Sequence, residues 1–379
     1  MPEVRERKPR LLVFAPTRRA ASETFVRANL AGLPFVVQAY FGDETPLLHP
    51  DRLAYGIAVW ISKVCTRLGM LRLAGWPAGV VARGLIRWHQ PDVVLAEFGF
   101  HAVRVMKAAS DTGVPFVVHF RGSDLSAQGK LGVLRSRYRR LLSLSRGVIC
   151  KSQPMRQTLL ELGADPTRIL VSASGANGDL FHGSHPSSAE PVFLAVGRFV
   201  PKKGPLQTLR AFHRQPYGSL WMVGDGPLLP EARRLVERWQ LQSRVRFFGA
   251  MPQEQVAALM RQARVFVQHS MVATDGDSEG NPVSVMEAQL SGLPVVATRH
   301  GGIPEVVLDQ QTGVLVEEGD VDAMADAMTR LMADPALADR LGAAGRSRVL
   351  ANFTLNHHLR DVTLFLEQVI AAAAESENR

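Results

Sequence analysis

The chain has 379 residues, room for about two domains that each bury a core, which excludes a single small module. Apolar residues make up 46% and charged residues 21%, the balance of a globular protein rather than a disordered or fibrous one. The formal charge of +9 is unevenly placed: residues 1–185 hold 25 Lys/Arg against 13 Asp/Glu, and the remainder 19 against 22. The basic first half is expected to meet something anionic, either a phosphate-bearing partner or a membrane surface; a solvated basic face is the plainer alternative. Cys65 and Cys150 cannot make a disulfide framework, which favours a reducing cytoplasm and two partly buried thiols. Met1 to Arg10 is charged and lacks a signal-peptide core, and no run reaches about 18 uninterrupted apolar residues.

Short apolar, β-rich runs alternate with helical patterns from the start. In the first half the expected strands are Leu11 to Ala15, Phe35 to Gln38, Val93 to Ala96, Phe116 to His119 and Gly147 to Cys150. Residues 52–90 differ in character. Trp60, Trp76 and Trp88 are interleaved there with Arg52, Lys63, Arg67, Arg72, Arg83 and Arg87, with almost no acids. Such a segment suits a membrane interface, where cations meet anionic lipid, or a pair of ordinary helices packed on the sheet. Gly69, Gly75, Pro77 and Gly79 rule out one continuous helix.

Glycines 175, 178 and 183, Pro186 and several serines break any periodicity between Ser172 and Pro191, which places the domain seam there. The second half repeats the pattern: strands at Val192 to Val196, Ser219 to Val223, Val245 to Phe248, Val265 to Gln268 and Pro294 to Thr298. Helices are expected at Leu206 to Arg214, Pro230 to Trp239, Glu254 to Gln262 and Pro282 to Leu290. Continuous apolar strands separated by helices imply parallel sheets covered on both faces. The expected fold class is therefore α/β, with two doubly wound, Rossmann-like domains facing across a cleft. Ligands bind outside the carboxyl ends of such strands, so functional residues should lie on strand-to-helix loops.

Three loops carry chemistry. Gly197-Arg198 with Lys203-Gly204 follows a strand; the glycine allows a close turn, and an arginine fork and a lysine point charge can converge on one dianion. It is not a P-loop, because the glycine-lysine-hydroxyl ending is missing. Gly224-Asp225-Gly226-Pro227 is ordinary turn chemistry that gains weight from lying at the same end of the same sheet. Asp277 to Ala288 holds Glu279, Gly280, Asn281, Pro282, Val283, Ser284 and Glu287; Pro282 suits a first helical position, and the amides around it suit an anion. Glu279 and Glu287 read as acceptors for two parts of an elongated ligand better than as the paired carboxylates of a hydrolase. Asp275-Gly276-Asp277 has a metal-pair spacing but reads as a polar loop, since Arg198 and Lys203 already supply positive charge. His300 reads as a loop residue.

These clusters, with Val245-Arg246-Phe247-Phe248-Gly249 and Gly301-Gly302-Ile303-Pro304-Glu305, resemble the retaining GT-B glycosyltransferases of glycosyltransferase family 4 over nearly the whole chain. Ser22-Glu23-Thr24-Phe25-Val26 and His119-Phe120-Arg121-Gly122-Ser123-Asp124 are similar to the branch that builds exopolysaccharide or colanic-acid-like glycans.

The resemblance implies a first domain over 1–182, a second over 186–354 and a helix over about 355–379 that crosses back to the first. The second domain would hold a nucleotide-diphosphate sugar. Arg198 and Lys203 would act on the diphosphate and Glu279 on the sugar, with donor contacts from Gly197, Gly224, Asp225, Gly226 and Gly280 to Ser284. Glu287 would hold the ribose, and Met251 in the 249–252 loop would lie near the base. Many family members have histidine where Arg121 stands, so His119, Arg121 and Asp124 are the expected acceptor-side residues, with Arg121 on a donor phosphate or an anionic acceptor and Asp124 on a hydroxyl. The partners implied are that donor and a saccharide or lipid-linked acceptor, with no cofactor, no metal and no nucleic acid, at the cytoplasmic membrane face. The rival readings are a nucleotide-sugar epimerase of the same fold and a non-catalytic nucleotide-sugar-binding subunit.

Overall fold

The computed structural model describes residues 7–17, 24–44, 53–70 and 73–377. The chain divides into two compact units, residues 1–172 with 359–379, and residues 173–358. Ser22 and Glu23, part of a motif singled out above, and Arg52 and Arg72 lie outside the described residues.

Unit 1 is built on β1 (Arg10–Ala15), β2 (Val36–Phe41), β3 (Val93–Glu97), β4 (Phe116–His119), β5 (Gly147–Cys150) and β6 (Ile169–Val171), in the order β2-β1-β3-β4-β5-β6. Every pairing is parallel. The central strands are buried on both faces, which is why they read as unbroken apolar runs rather than alternating ones. Helices Leu53–Arg67 and Trp76–His89 bury Tyr55, Ala58, Val59, Ala78, Ala82 and Ile86 and leave Trp60, Trp76 and Trp88 at 65%, 69% and 83% exposure. The helical pair is therefore packed on this unit and still carries a large apolar outer face.

The last helix, Leu355–Glu377, brings Val362, Leu366 and Val369 against Leu11, Val13 and Ile149 of the first sheet. Their three- and four-residue spacing makes one apolar stripe.

Unit 2 uses β7 (Val192–Val196), β8 (Ser219–Val223), β9 (Val245–Gly249), β10 (Val265–Gln268), β11 (Val295–Thr298) and β12 (Gly313–Val316), again all parallel, in the order β12-β11-β10-β7-β8-β9. Residues 173–182 belong to it: Ala176 N–H donates to the Phe353 carbonyl, Leu355 N–H donates to that of Ala176, and Phe181 is fully buried in this core. Strands β6 and β12 were not expected from the sequence. Each is an outer strand, one only three residues long and the other opened by Gly313, so neither has a run distinct from a loop; pairing to β5 and β11 makes them strands. The expected helix at Pro282 begins one residue later, at Val283. Pro282 has ψ 119° and caps the helix in extended conformation instead of filling its first position.

Candidate functional site

In unit 2 the chain leaves β7 in one direction for β8 and β9 and in the other for β10, β11 and β12. Ligands bind outside the carboxyl ends of the strands where such an order reverses. Ala195, Gly197, Arg198, Lys203, Val267 and Gln268, from the ends of β7 and β10 and the loop after β7, line one concavity at that point.

The loop is held by its neighbours. Gly197 N–H donates to Val223 O at 2.9 Å, Phe199 N–H to Asp225 O at 2.9 Å, and Gly224 N–H to Gly249 O at 2.7 Å. Gly224 has φ 136°, and a Cβ there would stand 1.9 Å from the Gly197 carbonyl oxygen, so only glycine lets the two loops stack. The Asp225 carboxylate is exposed and accepts from the Gly226 amide at 2.7 Å.

Arg198 is exposed and has no ion-pair partner among the described residues. The Lys203 stem passes over Gly197, where a Cβ would lie 3.3 Å from it, and its Nζ is 3.2 Å from Glu279 Oε2. Lys202 escaped the sequence reading although it is the neighbouring residue. It is 7% exposed, and its Nζ donates to Asp277 Oδ1 at 3.1 Å and Ser278 O at 3.3 Å and lies 3.6 Å from Glu279 Oε1. Two lysines thus bracket one carboxylate. The Asp277 carboxylate is engaged by Lys202, and among the described residues no group of three His, Cys, Asp or Glu side chains is placed to hold a metal ion.

The helix Val283–Ser291 carries the second glutamate inward. Glu287 is 6% exposed, accepts from Gln253 Nε2 at 2.9 Å, and burial pushes its carboxyl up from 4.5 to about 7 against the opposing pull of Gln253 and Lys203. Gln253, two residues beyond the half-buried Met251, was not singled out in the sequence because nothing local marks it. Ser284 spends its hydroxyl on Gln268 Oε1 at 3.0 Å. Asn281 is 1% exposed, and neither polar atom of its amide meets a partner among the described residues. A buried amide left so costs on the order of 1 to 3 kcal/mol, which fits a site completed by a polar ligand.

His300 is more than the loop residue it resembled. It is 2% exposed, its Nε2 lies 3.0 Å from the Glu279 amide nitrogen and 3.0 Å from Ser278 Oγ, and its Nδ1 is 2.5 Å from Glu318 Oε1. Gly302 N–H donates to Gly280 O at 2.7 Å in the same layer.

In unit 1 the order reverses between β1 and β3, and Glu97 ends β3 there at 1% exposure. Arg121 meets it with both arms of its fork, Nε to Oε2 at 2.7 Å and Nη2 to Oε1 at 2.8 Å, while Asn29 Nδ2 donates to Oε1 at 3.2 Å. The Phe25 ring lies 4.4 Å from the guanidinium carbon. Arg121, expected on a phosphate or an anionic acceptor, has its charge matched by a buried carboxylate. Glu97 was missed, although an acid closing a wholly apolar strand was its signal.

Asp124, expected on an acceptor hydroxyl, anchors its loop. It is fully buried and takes the amides of Gly99, Arg121 and Gly122 at 2.9, 3.0 and 2.8 Å; burial raises its pKa and those amides oppose the rise. His119 is fully buried with Nδ1 3.8 Å from Glu97 Oε2.

The chain matches the family model described as glycosyl transferases group 1 over residues 179–348, and that of a glycosyl transferase 4-like domain over residues 35–175. It is 32% identical over 350 residues to the putative colanic acid biosynthesis glycosyltransferase WcaL of Salmonella typhimurium, spanning 80% of this chain and 86% of that one. It is 28% identical over 291 residues to the amylovoran biosynthesis glycosyltransferase AmsK of Erwinia amylovora, spanning 73% and 70%. Among solved structures, HepE of Anabaena in complex with UDP aligns at TM-score 0.71 and 16% identity, over 95% of this chain and 100% of that one. The two parallel six-stranded sheets with their helices are those of the GT-B fold. The chain belongs to the group 1 glycosyl transferases, with a 4-like first half, and is a glycosyltransferase.

Proposed function

We propose that the chain moves a sugar from a nucleotide-diphosphate sugar to a saccharide or lipid-linked acceptor in the synthesis of a surface polysaccharide, with retention at the anomeric carbon and without a metal. The observation that carries this reading is that Arg198 and Lys203 line one concavity at the point where the second sheet reverses its order, with Lys203 paired to Glu279. WcaL and AmsK are named for colanic acid and amylovoran biosynthesis, which supports a polysaccharide product. The complex of HepE with UDP supports a nucleoside diphosphate as a ligand of this fold.

In this reading Arg198 and Lys203 balance the charge that grows on the diphosphate as the bond from its oxygen to the anomeric carbon breaks. Lys202, tied to Asp277, holds Glu279 to accept sugar hydroxyls, and Glu287 accepts from the ribose. The acceptor hydroxyl oxygen bonds the anomeric carbon on the face the phosphate leaves, and a phosphate oxygen takes its proton. A panel of UDP-, GDP- and ADP-sugars in thermal unfolding, followed by donor hydrolysis, tests this. One donor should raise the midpoint of the wild type and not of Lys203→Ala, whose turnover should fall by about 3 to 4 kcal/mol of barrier. No shift with any of them in the wild type would favour the binding-subunit reading, and a rearranged free nucleotide-sugar the epimerase.

The membrane contact rests on the outer face of helices Leu53–Arg67 and Trp76–His89, where three exposed tryptophans stand among arginines and no described helix is long and apolar enough to cross a bilayer. Wild type should sediment with anionic vesicles and not with neutral ones, and Trp76→Ala with Trp88→Ala should abolish it; equal binding to both lipids would remove the electrostatic part of the reading.

A further inference from the structure

We infer that His300 is a positioning residue for the donor sugar, acting as an unprotonated hydrogen-bond acceptor that sets the Glu279 loop; the inference rests on the donor reading above. His300 follows β11, and two of its contacts define its state. An amide nitrogen can only donate, so the 3.0 Å contact from Glu279 N requires a lone pair on Nε2. The proton of the neutral ring is then on Nδ1, where it donates to Glu318 Oε1 at 2.5 Å. Glu318 is itself tied, its Oε2 accepting from the Val272 amide at 2.8 Å. The Ser278 hydroxyl lies 3.0 Å from the same Nε2.

The imidazole therefore grips two successive residues, Ser278 and Glu279, of the loop that leads into the helix Val283–Ser291. Lys202 and Lys203 fix the carboxylate, and His300 fixes the backbone that carries it. Gly301 completes the contact: it has φ 52°, and a Cβ there would come within 2.2 Å of the Glu279 carbonyl oxygen, so the two loops lie in backbone contact.

The titratable and charged groups around His300 are Glu318 on Nδ1, Glu279 whose amide it holds, Lys202 and Asp277 joined beside Ser278, and His269, whose Nε2 accepts from the Gly319 amide and which feels the Glu318 charge. His300 holds the Glu279 amide directly, so its substitution separates its effect from theirs.

The experiment has two arms. Nitrogen-15 spectra of histidine-labelled protein, with the His300 signals assigned by their loss in His300→Gln, read the tautomer with no ligand present. The Nδ1–H form is expected, and the Nε2–H form would overturn the inference whatever the donor turns out to be. In the second arm the UDP-, GDP- and ADP-sugars of the panel above are titrated into wild type, His300→Ala and His300→Gln at about pH 8. Glutamine places an amide oxygen near the Nε2 position and does not titrate, whereas alanine removes the acceptor. A loop released by about an ångström is expected to cost about 100-fold. His300→Ala should lose affinity and hydrolysis to that extent at pH 8, and His300→Gln should recover most of it. Wild-type behaviour in a folded His300→Ala would overturn the inference. Wild type that binds no nucleotide-sugar while showing the Nδ1–H tautomer would instead overturn the donor reading beneath it.

Discussion

The titration of Glu287 should be visible in the stability of the protein. Its carboxyl is 6% exposed, and burial raises it from 4.5 to about 7 despite the Gln253 amide and the Lys203 charge. A raised carboxyl favours the folded state in its protonated form. That contribution is complete below about 4.5 and is lost as pH rises through about 7. At about 1.4 kcal/mol for each pH unit between the two values, the loss is about 3 kcal/mol. Glu287→Gln keeps the shape and an amide for Gln253 and removes the titration. Urea unfolding of both proteins is followed without ligand at about pH 5 and about pH 8, taking the transition that a bound nucleotide stabilises as that of unit 2. The wild type should lose about 3 kcal/mol relative to Glu287→Gln over that interval. Parallel pH dependence in the two proteins would refute the argument that this carboxyl is buried and protonated.

Other outcomes follow from the same geometry. Arg121→Ala should cost more turnover and more stability than His119→Ala, because it strands the buried Glu97 carboxylate, a loss of roughly 3 to 5 kcal/mol. Adding Glu97→Gln should return part of the stability, and equal or reversed losses for the two single substitutions would refute the ordering. On the proposed reading, in which Arg198 and Lys203 supply the positive charge, activity should survive EDTA; the Asp277 carboxylate is engaged by Lys202. Abolition that magnesium or manganese reverses would overturn this.

What the sequence determined by itself is local. Ten strands were legible as short apolar runs; those at the sheet centres are buried on both faces and so run apolar up to their last residue, as in Val93–Glu97 and Val265–Gln268. The strand-end loops were legible because their glycines and charges are contiguous in the chain: Gly197 with Lys203, Gly224 with Gly226, Glu279 with Glu287. What only the tertiary structure decided is the pairing of groups far apart in the chain. Arg121 reads as an open cation until Glu97, 24 residues earlier, is found against both arms of its fork. His300 reads as a turn residue until the Glu279 amide, 21 residues away, is found on its ring. Strands β6 and β12 exist through their neighbours alone. A side chain's charge and hydrogen-bonding capacity are properties of its type and can be read in order. Whether that capacity is already spent depends on which distant atom the fold brings within about 3 Å, and no local pattern encodes that.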